Sequence, residues 1–543
     1  MTISYVDRTG TLMKRGLSIL AVVATTATIV SCSSTSDATE TAAGEPRSGG
    51  HLTVGIIAPC GLDKAQTSGC NFTNVEVVDN LTEQLPDTGE VVPWLAESWD
   101  VSEDGASYVF RLKEGVTFSN GEKFDADAVK LNFDNIIELG KQGKAFQSSA
   151  YLLGYQGSTV VDPRTVEVKF DQPKAGFLQA LSEKPLGIIA PETITTKTPE
   201  ERLAGGVIGS GPFVISNVVQ DQKIEVKRRA DYQWSSPKNA HTGPAYLDRI
   251  TFQILPENAV RTGALLSDQI QVATTVPSND SANISAQGFD IASRSSAGIV
   301  YSYFANVKDP VLSDESARRA IQLGLDRNEI HDTIFDEYQK VPTSILSSTH
   351  PNYTDLGADL DYNPEKAKEI LDAAGWKPSA DGTREKDGQK LSVSIQFSAS
   401  SDKPLHELAQ QELKKIGVEL RIDQVTAAEL IANRTSGNWQ LQYGNLTRPD
   451  PDVLVSSFSP GFSLYFTKDY DPELQGLLTA QSTELDPAKR NAQTAEIQQI
   501  IVEKGYAFPA TEGSQTQAAG PKVHGLSFQT PWWPSYVDAW IEN

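Results

Sequence analysis

Sulfur is scarce in this chain, which has three cysteines and two methionines in 543 residues. A metal framework needs more thiols than that or histidines close by. The six histidines (His51, His241, His331, His350, His406 and His524) are scattered without ligand-like spacing. Basic residues are outnumbered, 47 against 70 acidic, for a formal net charge of −23. That balance repels phosphate backbones and anionic membrane surfaces and argues against nucleic-acid binding. Motifs of catalysis are missing too. His406-Glu407-Leu408-Ala409-Gln410 falls one residue short of a zinc helix and reads as an exposed, charged helix end. Gly205 to Gly211 lacks the Lys-Ser/Thr of a phosphate loop, and Pro212 directs a turn into a strand at Phe213. No Gly-x-Ser-x-Gly elbow occurs. The expectation is a non-enzyme without metal or cofactor.

Only one stretch approaches a membrane-directed segment. Met13-Lys14-Arg15 is a short basic start, Leu17 to Val30 is mostly apolar, and the run ends Ile29-Val30-Ser31-Cys32. A basic, then apolar, then small-residue order describes a secretory signal over residues 1–31, with Met13 as an alternative start. It resembles a bacterial lipoprotein signal, which implies lipidation of Cys32. Residues 32–48 are rich in Ser, Thr, Ala and Gly, lack bulky apolar residues and read as a flexible tether. Elsewhere no run reaches the roughly 18–20 apolar residues of a spanning helix. The mature chain is expected on the extracytoplasmic face, anchored to a membrane it does not cross. Cys60 and Cys70 bracket a loop of polar and small residues, and in an oxidising compartment such a pair reads as a disulfide.

At this length more than one hydrophobic core is expected. The first half is β-rich: strands are predicted at His51 to Ala58, Tyr108 to Leu112, Thr165 to Phe170, Phe213 to Ser216, Lys223 to Lys227 and Arg249 to Ile254. A helix is predicted over Asp125 to Leu139. Past residue 300 the pattern becomes α/β, with helices over Ser313 to Ile330, Pro364 to Ala374 and Leu405 to Ile416, and strands over Leu391 to Phe397 and Val418 to Val425.

Several segments occur in an order shared by one family. They are Leu95-Ala96-Glu97-Ser98-Trp99, Tyr108-Val109-Phe110-Arg111-Leu112, Gly115-Val116-Thr117-Phe118, Gly209-Ser210-Gly211-Pro212-Phe213, Arg318-Arg319-Ala320-Ile321, Leu325-Asp326-Arg327, Asn363-Pro364-Glu365-Lys366-Ala367-Lys368 and Ala374-Gly375-Trp376. The set closely resembles the family 5 (dipeptide/oligopeptide/nickel-type) bacterial solute-binding proteins of ABC transporters, over about 51 to 543.

The resemblance implies an α/β, two-lobed periplasmic-binding-protein-like fold (type II, cluster C-like) with an extra subdomain in the first lobe. The first lobe would take 49–298 plus 516–543, with the subdomain at about 91–205, and the second 299–515. The implied function is capture of a small ligand, a short peptide or peptide-like molecule with a carboxylate, for an ABC permease. A metal chelate or other non-peptide solute is the alternative, as is a surface signalling or adhesion lipoprotein. A monomer is expected. Thr67-Ser68-Gly69 matches a ligand-contacting Thr-Ser-Gly of dipeptide-type relatives. Tyr443-Gly444-Asn445-Leu446-Thr447-Arg448-Pro449-Asp450-Pro451-Asp452 resembles the family's Asp-Pro-Asp region. From it Tyr443, Asn445, Thr447 and Arg448 join the ligand-binding candidates. Dipeptide-type relatives carry an amine-binding Asp where this chain has Thr447. Arg448 either meets a ligand carboxylate or pairs with Asp450 or Asp452, which themselves read as helix-capping residues.

Overall fold

A computed structural model describes residues 44–58, 61–67, 74–398, 402–459 and 471–542. The leader, Cys32, Cys60, Cys70, Ser68 and Gly69 lie outside the described residues. Among the described residues no helix is long and apolar enough to cross a membrane.

Alternating β-branched runs in the first half assemble a seven-stranded sheet. Its order is Asp290–Ser295, Ser514–Ala519, Val272–Thr274, His51–Ile56, Arg249–Ile254, Lys223–Arg228, Phe213–Val219. The strand His51–Ile56 is parallel to both of its neighbours. Leu52, Val54, Val226 and Phe252 bury its core face. A second sheet is built mainly from the α/β half, in the order Glu419–Gln424, Ser392–Phe397, Leu441–Thr447, Gly298–Ala305, Ala507–Thr511. The chain passes between the two sheets at residues 296–297 and again at 512–513, so the fold is a two-lobed α/β one. A four-stranded antiparallel sheet (Ala96–Val101, Ser107–Leu112, Thr165–Phe170, Tyr155–Asp162) with the helix Ala126–Lys141 has a separate core around Tyr108, Phe110, Phe133, Phe170 and Phe177.

Local chemistry explains the element ends. Asp125 caps its helix by accepting from Ala128 N–H at 3.0 Å. Gly209-Ser210-Gly211-Pro212-Phe213 is a turn lying directly on the backbone of Glu76 and Val77. A Cβ on Gly209 would stand 1.9 Å from the Val77 carbonyl oxygen, so only glycine fits there. Gly211 N–H and Phe213 N–H donate to the carbonyls of Val77 and Glu76. The Glu76 carboxylate accepts from Ser535 Oγ and Tyr536 N–H, which holds the C-terminal segment on the first lobe.

Two sequence readings need correction. Ser313 to Ile330 is not one helix but two, Glu315–Leu323 and Arg327–Ile334. The first ends at Gly324, and Asp326 caps the second by accepting from Glu329 N–H, a local bond that competes with helical continuation. His406 is not on an exposed helix end. It is fully buried, with Nδ1 3.0 Å from the Tyr303 hydroxyl and its ring 4.6 Å from that of Phe397.

Candidate ligand-binding site

The strand Leu441–Thr447 leads from the middle of the second sheet to the first crossing between lobes, where Thr447 pairs with Gly298. The Thr447 hydroxyl is 2.6 Å from that of Ser296, on the crossing segment itself. Tyr443 stacks on Tyr301 (centroids 5.5 Å apart) and packs edge-on against His406 (5.1 Å). Asn445 is half-buried and makes no side-chain hydrogen bond among the described residues.

Arg448 follows the strand and is 9% exposed. Its Nη1 donates to Ser456 Oγ at 3.0 Å, and its guanidinium lies over the first-lobe Tyr151 ring, 4.6 Å from the centroid. No carboxylate of the described residues lies within 4.0 Å of it. The expected alternative, pairing with Asp450 or Asp452, does not form. Arg490, on the helix Pro487–Glu503, donates Nη1 and Nη2 to the two oxygens of Asp450, both at 2.7 Å, and reaches Asp452 at 3.4 Å. Of the two acids read as helix-capping, Asp450 does cap the first turn, whereas Asp452 lies within the helix. The helix Asp452–Phe458 has Pro451 at its N-cap with no side-chain cap bond. Asp450 does accept from Asp452 N–H, but its main partner is Arg490. Asp452 accepts from Gln481 Nε2 and lies 4.0 Å from Lys174.

The lobes meet here. Ala175 N–H donates to the Ser482 carbonyl at 3.3 Å, and Gly176 abuts the Asp450 carboxylate. A cavity of about 10 Å³, the size of one water, remains between Tyr151 and Gln179 on one side and Arg448 and Asp452 on the other.

The first lobe carries the predicted Thr67 and, near it and beyond, residues that sequence reasoning missed. Thr67 ends the short helix Lys64–Gln66, its hydroxyl 3.4 Å from the Lys64 carbonyl. Lys64 is buried, with Nζ 5.2 Å from the centre of the Trp533 ring. Burial, with Lys184 nearby, pulls its pKa down to about 7. The indole N–H groups of Trp532 and Trp533 are buried and have no hydrogen-bond partner among the described residues. Glu183 is 4% exposed, and burial pushes its carboxyl up to about 7, against the opposing pull of Gln179, Arg448 and Lys184. No motif flagged Glu183 or Lys64, because each is buried by segments remote in sequence. Among the described residues, Asp326, Glu329 and Glu412 bring carboxylate oxygens within 4.8 Å of one another. The Lys415 ammonium already sits 2.7 Å from Glu412 and 3.5 Å from Glu329, where a metal would have to compete with it.

A family model described as "Bacterial extracellular solute-binding proteins, family 5 Middle" matches residues 90–464. The chain belongs to this family. Among similar curated members, the oligopeptide-binding protein AppA of Bacillus subtilis is 28% identical over 447 residues, 78% of each chain. The nickel-binding periplasmic protein of Escherichia coli is 26% identical over 382 residues, covering 68% of this chain and 70% of its own. In fold, the family 5 chain is similar to NikA from Brucella suis, crystallised with Fe(III)-EDTA. The TM-score is 0.78 at 24% identity, over 90% of this chain and all of the other.

Proposed function

We propose that this family 5 protein is the lipid-anchored substrate-binding component of an ABC importer, closing its lobes on a short peptide or peptide-like ligand that presents a carboxylate to Arg448. The observation that supports this most is the division of labour between two arginines. Arg490 pairs with Asp450 through both terminal nitrogens and also reaches Asp452, so Arg448 is a buried guanidinium with no carboxylate of the described residues within 4.0 Å. Such a group is costly to bury unless something anionic completes it. Asn445, with its amide unpaired, and Tyr443 on the same strand belong to the proposed site, as do Thr67, Ser68 and Gly69 on the facing lobe. Thr447, its hydroxyl engaged by Ser296, lines the hinge side.

Closure would bring 49–298 plus 516–543 against 299–515 and distinguish a loaded receptor from an empty one. Lipid on Cys32 would keep the receptor beside its permease; stable anchoring takes more than one acyl chain. The deciding experiment is mass spectrometry of small molecules released by denaturing natively purified protein, followed by calorimetric titration of the released compound into wild type and Arg448→Ala. A carboxylate-bearing compound whose capture is lost in the variant is the expected result. Unchanged affinity removes Arg448 from the site.

A further inference from the structure

Away from Arg448 the two lobes also meet through a second-lobe leucine and a first-lobe turn. Asp486 caps the helix Pro487–Glu503 by accepting from Ala488 N–H and Lys489 N–H, both at 3.0 Å, and this fixes Leu485 just outside the first turn. An apolar residue there commonly packs on the residue one turn into its own helix, but that residue is Arg490, which is engaged with Asp450. Leu485 lies instead on Gly105 of the first lobe, where a Cβ would stand 2.7 Å from Leu485 Cδ1. The turn under it is well held. Gly105 N–H donates to the Ser102 carbonyl and Ser107 N–H to Ser102 Oγ, both at 2.8 Å. The Gly105 carbonyl accepts from Lys174 N–H at 3.1 Å, which ties the turn to the segment whose Ala175 N–H donates to Ser482. The φ of +67° at Gly105 already calls for glycine, so the informative residue of the pair is the leucine.

A second contact of the same kind places Pro351 of the second lobe on Gly89 of the first, where a Cβ would stand 2.5 Å from Pro351 Cγ. Beside Leu485 the seam is not filled. A cavity of about 360 Å³ remains, lined by Val101, Tyr108 and Leu178 from the first lobe and Leu485, Pro487 and Arg490 from the second. Leu485 keeps 42% of its exposure and Val101 40%. A seam packed this loosely is weaker than the core of either lobe and can part without unfolding them. None of Leu485, Gly105, Pro351 and Gly89 is a candidate ligand residue.

We propose that Leu485 seated on Gly105, supported by Pro351 on Gly89, is a latch that holds the lobes shut through contacts independent of the ligand. The latch sets what fraction of the empty receptor is closed. A ligand that binds only the closed form then has an apparent affinity scaled by that fraction, so residues outside the ligand site tune capture and release.

The test uses protein dialysed free of small molecules, so its outcome does not depend on what the ligand is. Dyes carried on azide-bearing amino acids replace the exposed Lys141 and Lys366, one on each lobe. Single-molecule energy transfer then counts open and closed molecules, and small-angle scattering of the same samples shows which population is compact. Wild type is expected to have a populated compact state. Leu485→Ser should lower the compact-to-open ratio about fivefold, as for the loss of one partly buried leucine contact, while Leu485→Met should keep it. Pro351→Ala should shift the ratio in the same direction as Leu485→Ser. Leu485 is outside both lobe cores, so each variant is expected to melt like wild type. A wild type with no compact population overturns the latch. A ratio that Leu485→Ser leaves unchanged overturns it too, as does an equal fall in Leu485→Ser and Leu485→Met.

Discussion

Asp450 receives both terminal nitrogens of Arg490 at 2.7 Å, and this leaves Arg448, two residues before Asp450 in the chain, without a carboxylate. The two arginines therefore answer differently to removal. Arg490→Ala strands Asp450 and is expected to cost about 3–5 kcal/mol, as for other broken buried pairs. Arg448→Ala is expected to change the stability of the empty protein by no more than about 1 kcal/mol and to abolish capture. Melts of both variants without ligand check the contrast, and equal losses would mean that Arg448 is structural.

Gly176 offers a way to hold the lobes apart. Its φ of −81° suits alanine, but a Cβ would lie 2.8 Å from Asp450 Oδ1, on a carboxylate that Arg490 holds in place. Gly176→Ala is expected to leave the melting temperature of the empty protein nearly unchanged and to weaken ligand binding about tenfold, a loss of about 1.4 kcal/mol. Small-angle scattering with ligand should then show a radius of gyration close to that of the empty wild type. Full compaction on ligand addition would contradict it.

His406 makes acid stability a test of the buried core. Burial holds its pKa down to about 4, whereas the unfolded chain takes up the proton near 6.5. The unfolded state thus binds more protons as pH falls from about 6.5 to about 4, and stability drops over that window by as much as about 3 kcal/mol. His350, also lowered to about 4, acts in the same direction. His406→Gln is expected to flatten part of this slope in denaturant titrations at pH 7 and pH 4.5. A slope as steep as that of wild type would show that His406 does not titrate on unfolding.

The three cysteines call for two simple chemical tests. Cys32→Ala is expected to release the protein into the medium or leave an unprocessed precursor; membrane retention with wild-type gel mobility would speak against a lipid. Protein starting at residue 49, denatured without reductant, is expected to show no free thiol if Cys60 and Cys70 are bridged. Two titratable thiols would refute the bridge.

Local signals carried much of the architecture. Alternating β-branched runs marked the strands His51–Ile56 and Lys223–Arg228, Asp125 marked the start of its helix, and Gly209-Ser210-Gly211-Pro212-Phe213 marked the turn into Phe213–Val219. These features depend on residues a few positions apart, and the family's segments are made of them. The break at Gly324 to Asp326 was missed because apolar periodicity runs on through it, while the deciding cap bond involves a side chain that fits either reading. The site depended on partners the sequence does not bring together. Which arginine neutralises Asp450 was decided by the helix Pro487–Glu503 delivering Arg490 from 40 residues away. Spacing along the chain reports what a residue is. Whether its charge is buried, paired or waiting for a ligand is a property of the space around it, and only the tertiary structure fixes that space.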